Sequence, residues 1–443
     1  MSRVLTYAGA VVVLLGALVL ATGGMKAALV AVGLVAALLL MVVAGPERVG
    51  VILIGVAFAT APMYKRLAPA GTAVTPTDLA LVAGFGLMLP RLLRSKFDLP
   101  VQYVLAGVVI FATGLIGSLA STQTAVALLA LGFWMATMFM LLTGVHLWRP
   151  SGREIQVMAW LFVAGQGFSF AYGMATGASY GGRFYGLTIH PNYFAEAGLL
   201  CLALLLHLSS VTPSKWRWVV WAAMAFSVYT IFISGSRAGT LGLAAIIAII
   251  PIVERSAVRM YVLALAAAGG ALFLSQHTAL LTQGALGRLT GHGTASGSDQ
   301  VRQQGLSAGW QRFLDHPLSG SGLVDLFDVH NNYLEVAMGV GIFGFVAFLV
   351  VLYTLVRPLV FSTHPLRRLC YPVFAYGVFG ATTPSLYDRT FWVGICLCIV
   401  AVVAEKQSRR EAAAGSLQPD APPPARPQLT LVGAGSRRPG GLR

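Results

Sequence analysis

Residues 302–344 read RQQGLSAGWQRFLDHPLSGSGLVDLFDVHNNYLEVAMGVGIFG. A charged, amphipathic segment leads to His330. An apolar run then continues to about residue 356, with Glu335 as its only charged residue. Such a run is long enough to cross a hydrocarbon core of about 30 Å, so it reads as a membrane-spanning helix with a histidine at its mouth. Arg, Asp and His held in one large loop at a bilayer boundary point to chemistry or recognition there.

The apolar pattern recurs almost end to end. Of 443 residues, 57% are hydrophobic and 10% charged, which excludes a soluble domain of this size. In lipid each run must satisfy its own backbone polar groups, so the runs are helices. Fourteen spans are expected, over about 4–22, 26–44, 48–64, 76–91, 101–120, 125–147, 154–175, 193–210, 216–233, 237–253, 257–274, 331–356, 367–383 and 389–404. The spans at 48–64 and 76–91 carry Pro or Gly near their ends, and merging or dropping a pair gives twelve. The expected fold is all-α: a polytopic transmembrane helical bundle over residues 1–405 with one large external loop at about 275–330. The first run follows Arg3 as in a signal peptide, but it lacks a convincing cleavage site and another span follows at once, so it reads as a retained helix. Residues 406–443 are rich in Pro, Ala, Gly and Arg without periodicity, and read as a disordered cytoplasmic tail.

The net charge is +15, yet the basic residues lie in short loops and in the tail. That is the positive-inside pattern of a membrane protein and not a nucleic-acid surface. The loops 91–98, 146–154, 212–217, 254–259 and 357–368 are basic and alternate along the span count, so they are assigned to the cytoplasm. The segments 121–124, 176–192, 234–237, 275–330 and 384–389 then face outside, both termini lie inside, and the protein is a multi-pass cytoplasmic-membrane protein in contact with membrane lipids. Lys65 and Arg66, in an external loop, break the pattern. Cys201, Cys370, Cys396 and Cys398 all fall in apolar runs and read as buried small hydrophobes.

Four external elements carry polar residues suited to chemistry. In GGRFYGLTIHPNYFAEAG (181–198), Arg183 and His190 lie in a loop and Asn192 is the expected N-cap of the next helix. In SGSRAG (234–239), Arg237 occupies the first turn of a span, where a cation opposes the helix dipole and an anion nearby would make the arrangement sensible. In the large loop, a helix is expected from Arg302 through Leu314, ended by HPLSG at 316–320; Arg288 and Arg312 share this loop, so spacing alone does not select Arg302. In HNNYLE (330–335), Asn332 and Glu335 have capping-box spacing and His330 lies just outside the helix. His190-Pro-Asn-Tyr and His330-Asn-Asn-Tyr echo each other, which makes His190 a competitor for any role given to His330.

The ordered set of Arg183, Gly186, Pro191-Asn192, Ser236-Arg237-Ala238-Gly239, Arg302, His316-Pro317-Leu318 with Gly320 and Gly322, and His330-Asn331-Asn332-Tyr333-Leu334 followed by Gly341 and Gly344 resembles the O-antigen ligase and polymerase superfamily. The motif similarity covers about residues 180–345. The resemblance implies a GT-C-like fold. It implies an enzyme that moves a glycan from a polyprenyl diphosphate carrier to an acceptor hydroxyl outside the cytoplasmic membrane, the acceptor being a glycan, lipid or protein. It also implies His330 as general base, Arg237 and Arg302 as ligands of the diphosphate, and Arg183 as a further arginine near the site. His190, Asn332 and Tyr333 are secondary candidates.

That chemistry is coherent by itself. A lipid diphosphate leaves readily once its developing charge is neutralised, and arginine is always charged and meets phosphate oxygens with paired donors. Arginines can serve as the electrostatic clamp, and no metal or other cofactor is expected: Asp299, Asp315, Asp325, Asp328 and Asp388 show no D-x-D spacing. A histidine near neutrality suits removal of a hydroxyl proton, and in-line attack inverts the anomeric centre. A repeat-unit polymerase of the same superfamily uses the same donor chemistry and is the alternative reading. A polysaccharide or lipid transporter is the second alternative, although transporters place their ionisable residues near the midplane and these lie at the outer rim.

Overall fold

The computed structural model describes residues 41–63, 74–180, 182–255, 295–324 and 329–416. Among these, ten helical segments are long and apolar enough to cross a membrane. They are α1 (Pro46–Met63), α2 (Pro76–Arg94), α3 (Val101–Ala120), α4 (Thr124–Trp148), α5 (Gly152–Thr176), α6 (Pro191–Val211), α7 (Ser214–Ile233), α8 (Arg237–Glu254), later α10 (Asn332–Phe361), and the segment Arg389–Glu411. Helix α9 (Ala295–Asp315) is the polar helix of the large loop. A two-stranded ribbon, β1 (Ser179–Tyr180) with β2 (Arg183–Phe184), is the one sheet among the described residues. The protein is an all-α polytopic helical bundle.

The expected spans 4–22, 257–274 and all but the last four residues of 26–44 lie outside the described residues, as do Lys65 and Arg66. The span expected at 367–383 is shorter: a 3-10 turn at Pro365–Cys370 leads into α11 (Tyr371–Phe379). Gly380 and the Thr-Thr-Pro stretch then turn the chain, with Ala381 N–H on Val378 O and Thr382 N–H on Phe379 O. The last span is broken at Cys396-Leu397 into α12 (Arg389–Ile395) and α13 (Cys398–Ser416). The chain divides between Glu405 and Lys406, yet α13 continues to Ser416, into the segment read as a tail without structure; residues 417–443 lie outside the described ones.

Lipid tails are as apolar as the side chains, so helices in a membrane associate through close packing. The bundle shows this where glycines let backbones touch. A Cβ on Gly50 of α1 would lie 2.7 Å from the Gly84 carbonyl of α2. Trp134, Trp148, Trp392, Tyr103 and Tyr371 fill the interior, and all four cysteines are buried and unbridged.

Long-range contacts sort the helix ends into two sets. At one end Arg91 Nη2 donates to Trp148 O (3.1 Å), Arg149 Nη2 to Lys96 O (3.0 Å), and Arg368 pairs with Glu254. These are the basic loops. At the other end lie the start of α2, the 3-10 end of α1 and the start of α12, joined by Thr390 Oγ1 to Ala61 O (2.8 Å) and Arg389 Nε to Asp78 Oδ1 (3.0 Å). The starts of α6, α8 and α10 belong to this second set.

Candidate active site

The entrance to α10 is held by several hydrogen bonds at this second end. Asn331, not Asn332, is its N-cap: Asn331 Oδ1 accepts from Tyr333 N (3.0 Å) and Leu334 N (3.1 Å). The expected pairing of Asn332 with Glu335 is not formed, because Asn332 is claimed by distant partners. Its Nδ2 donates to Ser385 Oγ (2.7 Å), its Oδ1 accepts from Ser385 N (2.7 Å), and its own N–H donates to Gly380 O (2.7 Å). Asn331 Nδ2 adds a bond to Ala381 O (3.1 Å), and Tyr333 Oη donates to Gly377 O (2.6 Å). Three consecutive side chains therefore fasten the start of α10 to the chain around the end of α11.

His330 stands directly before this anchored trio, with φ of 52°. Among the described residues Arg149 and Arg255 are the other non-glycines with positive φ, and both are helix C-caps, where a left-handed residue is ordinary. His330 has no such helix-ending role. A left-handed backbone costs a side-chain-bearing residue about 1–2 kcal/mol, and it persists where neighbouring contacts over-determine it. Here those contacts include the bonds of Asn331, Asn332 and Tyr333.

Further along, α10 is interrupted at Gly341, whose φ of 70° and ψ of −178° belong to a region essentially reserved for glycine. An interrupted helix inside lipid needs new partners for its backbone. The HPLSGSG loop supplies them: Ser321 N donates to Met338 O (2.8 Å), Gly322 N to Gly339 O (3.0 Å), and Ile342 N to Pro317 O (2.8 Å). Gly117 of α3 lies against this stitch, where a Cβ would be 2.8 Å from Ser319 O and 2.9 Å from Gly339 O. Arg312 Nε donates to Ser321 Oγ (2.7 Å), which ties α9 to the same loop.

At the start of α8, Ser236 Oγ accepts from Gly239 N (3.2 Å) and Arg237 occupies the first helical position. The anion expected beside it is Asp299: Arg237 Nη1 donates to Asp299 Oδ2 at 2.9 Å, and Nη2 makes a second prong to Oδ1. The described part of α9 runs from Ala295, ahead of the expected start at Arg302. Its first turns, ASGSDQV, carry no apolar period, and this tertiary ion pair is one contact that holds them. Arg302 lies about one turn beyond Asp299 on the same face. Gly309 lies two turns further, about 10 Å along the axis. A Cβ on Gly309 would touch Val329 (3.0 Å), Leu334 (3.2 Å) and Met338 (3.2 Å). Helix α9 thus spans from Arg237 to the residue that precedes His330, with Arg302 between them.

Arg183, on β2, is buried. Its Nε donates to Ser234 O (3.0 Å) and its Nη2 to Asn192 Oδ1 (2.9 Å), so it ties the turn that precedes Arg237 to the start of α6. Asn192 is not the N-cap of α6. His190 is: its Nδ1 accepts from Asn192 N at 3.1 Å. The two His-x-Asn-Tyr echoes therefore differ in role. His190 caps its helix with its own imidazole, whereas His330 stands one residue ahead of the capping Asn331.

Two pairings are not written in the local sequence. One joins Asp299 to Arg237. The other joins Asp78 to Arg389, which is 7% exposed and lies 4.8 Å from the Phe133 ring centroid. The capping box of Thr75 with Asp78 was a visible signal for the helix start that positions this pair. Among the described residues no group of three or more His, Cys, Asp or Glu is arranged to hold a metal ion.

A helical bundle with ten segments long and apolar enough to cross a membrane defines the class of a polytopic membrane protein, and Arg183, Arg237 and the positive-φ His330 lie at one set of its helix ends. Residues 222–349 match the family model for O-antigen ligase (Wzy_C), which supports the O-antigen ligase superfamily over that stretch of the chain. The match runs from within α7 to within α10 and contains Arg237, Arg302 and His330. No curated protein matches the chain.

Proposed function

We propose that the protein transfers a glycan from a polyprenyl diphosphate carrier to an acceptor hydroxyl at the outer face of the cytoplasmic membrane, as an O-antigen ligase does. The observation that carries this reading is α9, which links Arg237, Arg302 and the approach to His330 along one helix inside the matched domain. His330 takes the proton of the acceptor hydroxyl. The oxygen attacks the anomeric carbon, the bond from that carbon to the diphosphate oxygen breaks, and the electron pair leaves on the diphosphate. Arg237 and Arg302 meet the charge that develops there. Attack opposite the leaving group inverts the anomeric centre.

In this reading Arg183 acts indirectly, by holding the Ser234 turn from which Arg237 projects. Asn332 and Tyr333 position His330 and do not touch substrate. General-base catalysis contributes about 100- to 10,000-fold, so most of the acceleration comes from charge neutralisation and orientation. Lipid-linked glycan and acceptor supplied to membranes test the reading: His330→Ala and Arg237→Ala abolish transfer at unchanged expression, and normal turnover in both removes the mechanism. Activity persists in EDTA; its loss and restoration by a divalent ion would contradict the metal-free clamp. A deletion strain that accumulates full-length lipid-linked chains supports the ligase, whereas accumulated single repeat units identify the polymerase of the same superfamily.

A further inference from the structure

The Arg237–Asp299 pair joins a mostly covered cation to a more exposed anion. The Arg237 side chain is 16% exposed and that of Asp299 is 53% exposed. Arg237 stands at the first position of α8, where the helix start adds to its pull on an anion. A carboxylate that meets a guanidinium on two prongs occupies the geometry that a phosphate would take. The partner, Asp299, lies near the described start of α9. Gln300 and Val301 beside it are exposed, and Gly309 and Phe313, about three and four turns further on, pack against neighbouring side chains. Arg237 left without an anion would be a mostly covered charge beside a positive helix end.

We propose that Asp299 is an intramolecular occupant of the anion seat at Arg237, displaced by the carrier's diphosphate when donor binds. The inference rests on the donor-site reading of Arg237 and adds a residue that sets donor affinity. In the empty protein Asp299 keeps the arginine oriented; on donor arrival the two phosphates replace one carboxylate. Arg302, a turn away on the same helix, remains at the site, so release of Asp299 frees one arginine without removing the other. An ion pair this exposed is closed only a few times more often than it is open. Apparent donor affinity is lowered by about the same factor, roughly 2- to 6-fold.

The test uses the full-length protein in nanodiscs, with farnesyl diphosphate as the probe and binding read by calorimetry. Asp299→Asn should tighten binding about 2- to 6-fold, by removing the competing charge. Asp299→Glu, which keeps the charge, should bind as the wild type does. The ratio between wild type and Asp299→Asn should shrink as salt rises, because the exposed pair is screened. Arg237→Ala should lose most binding. Unchanged or weaker binding in Asp299→Asn, with Arg237→Ala still defective, overturns the occupant role and leaves the donor seat standing. Wild-type binding in Arg237→Ala overturns the donor seat itself, and the occupant role with it.

Discussion

Replacing Asn332 with Ala probes how His330 is held. The residue is 1% exposed and Ser385 is 3% exposed, so water does not substitute for what is lost. The change removes the 2.7 Å bond from Asn332 Nδ2 to Ser385 Oγ and the 2.7 Å bond from Ser385 N to Asn332 Oδ1. Inter-helix side-chain bonds in membrane proteins average about 0.6 kcal/mol each. A buried N–H left without an acceptor costs about 1–3 kcal/mol more. The total, about 2–4 kcal/mol, exceeds the 1–2 kcal/mol by which a left-handed histidine is disfavoured. The anchor that offsets that strain is thereby lost, and His330 relaxes to an ordinary backbone conformation. A loss of about 2 kcal/mol lowers the ratio of anchored to relaxed states about 30-fold, so from near balance the competent population falls about 15-fold. The expected result is a kcat reduced about 10- to 30-fold, little change in KM for the lipid-linked donor, and faster amide exchange over residues 330–335. Wild-type kcat together with wild-type exchange protection in Asn332→Ala would refute the claim that this bond pair holds the histidine.

Three further outcomes follow from the same geometry. Gly341→Ala places a Cβ against Leu318 O and 2.9 Å from Gly320 N at a backbone conformation that side chains do not adopt, so it should abolish a monodisperse peak in detergent chromatography; normal yield and elution would show that the α10 break is dispensable. His190→Asn keeps an N-cap side chain at α6 and should retain at least about half of wild-type transfer, since Asn caps helices well; complete loss with intact folding would move the base from His330 to His190. Gln303→Cys, on an exposed position of α9, should react with an impermeant maleimide added outside the cytoplasmic membrane, and protection from the label would invert the expected topology.

The spans were legible because crossing a bilayer is a local property. A run such as 101–120 carries its own length and hydropathy, and its helix in the structure has the same limits. The same holds for the helix start at Arg237, where Ser236 is an N-cap whose partner lies three residues away. The alternation of basic and polar loops likewise matches the two sets of helix ends, since Arg91 with Trp148 and Arg368 with Glu254 join loops of the basic set. Where a local rule competed with a distant partner, the local rule failed. Asn332 has capping spacing to Glu335, yet Ser385 and Gly380 take its polar atoms and Asn331 caps instead. Asn192 is a good capping residue, but Arg183 takes its oxygen and His190 caps.

The sequence alone determined that this is a helical membrane protein, where most of its described helices begin, and that its polar residues of interest fall in loops of one set. Partition between water and hydrocarbon acts on each short run separately, so no knowledge of the rest of the chain is required. Only the tertiary structure decided that Asp299 meets Arg237 across 62 residues, that the 316–322 loop repairs a break in α10, and that His330 is strained while His190 is a cap. Each of these depends on which polar groups find one another once the helices pack, and a pairing between distant groups leaves no periodicity in the chain that carries them.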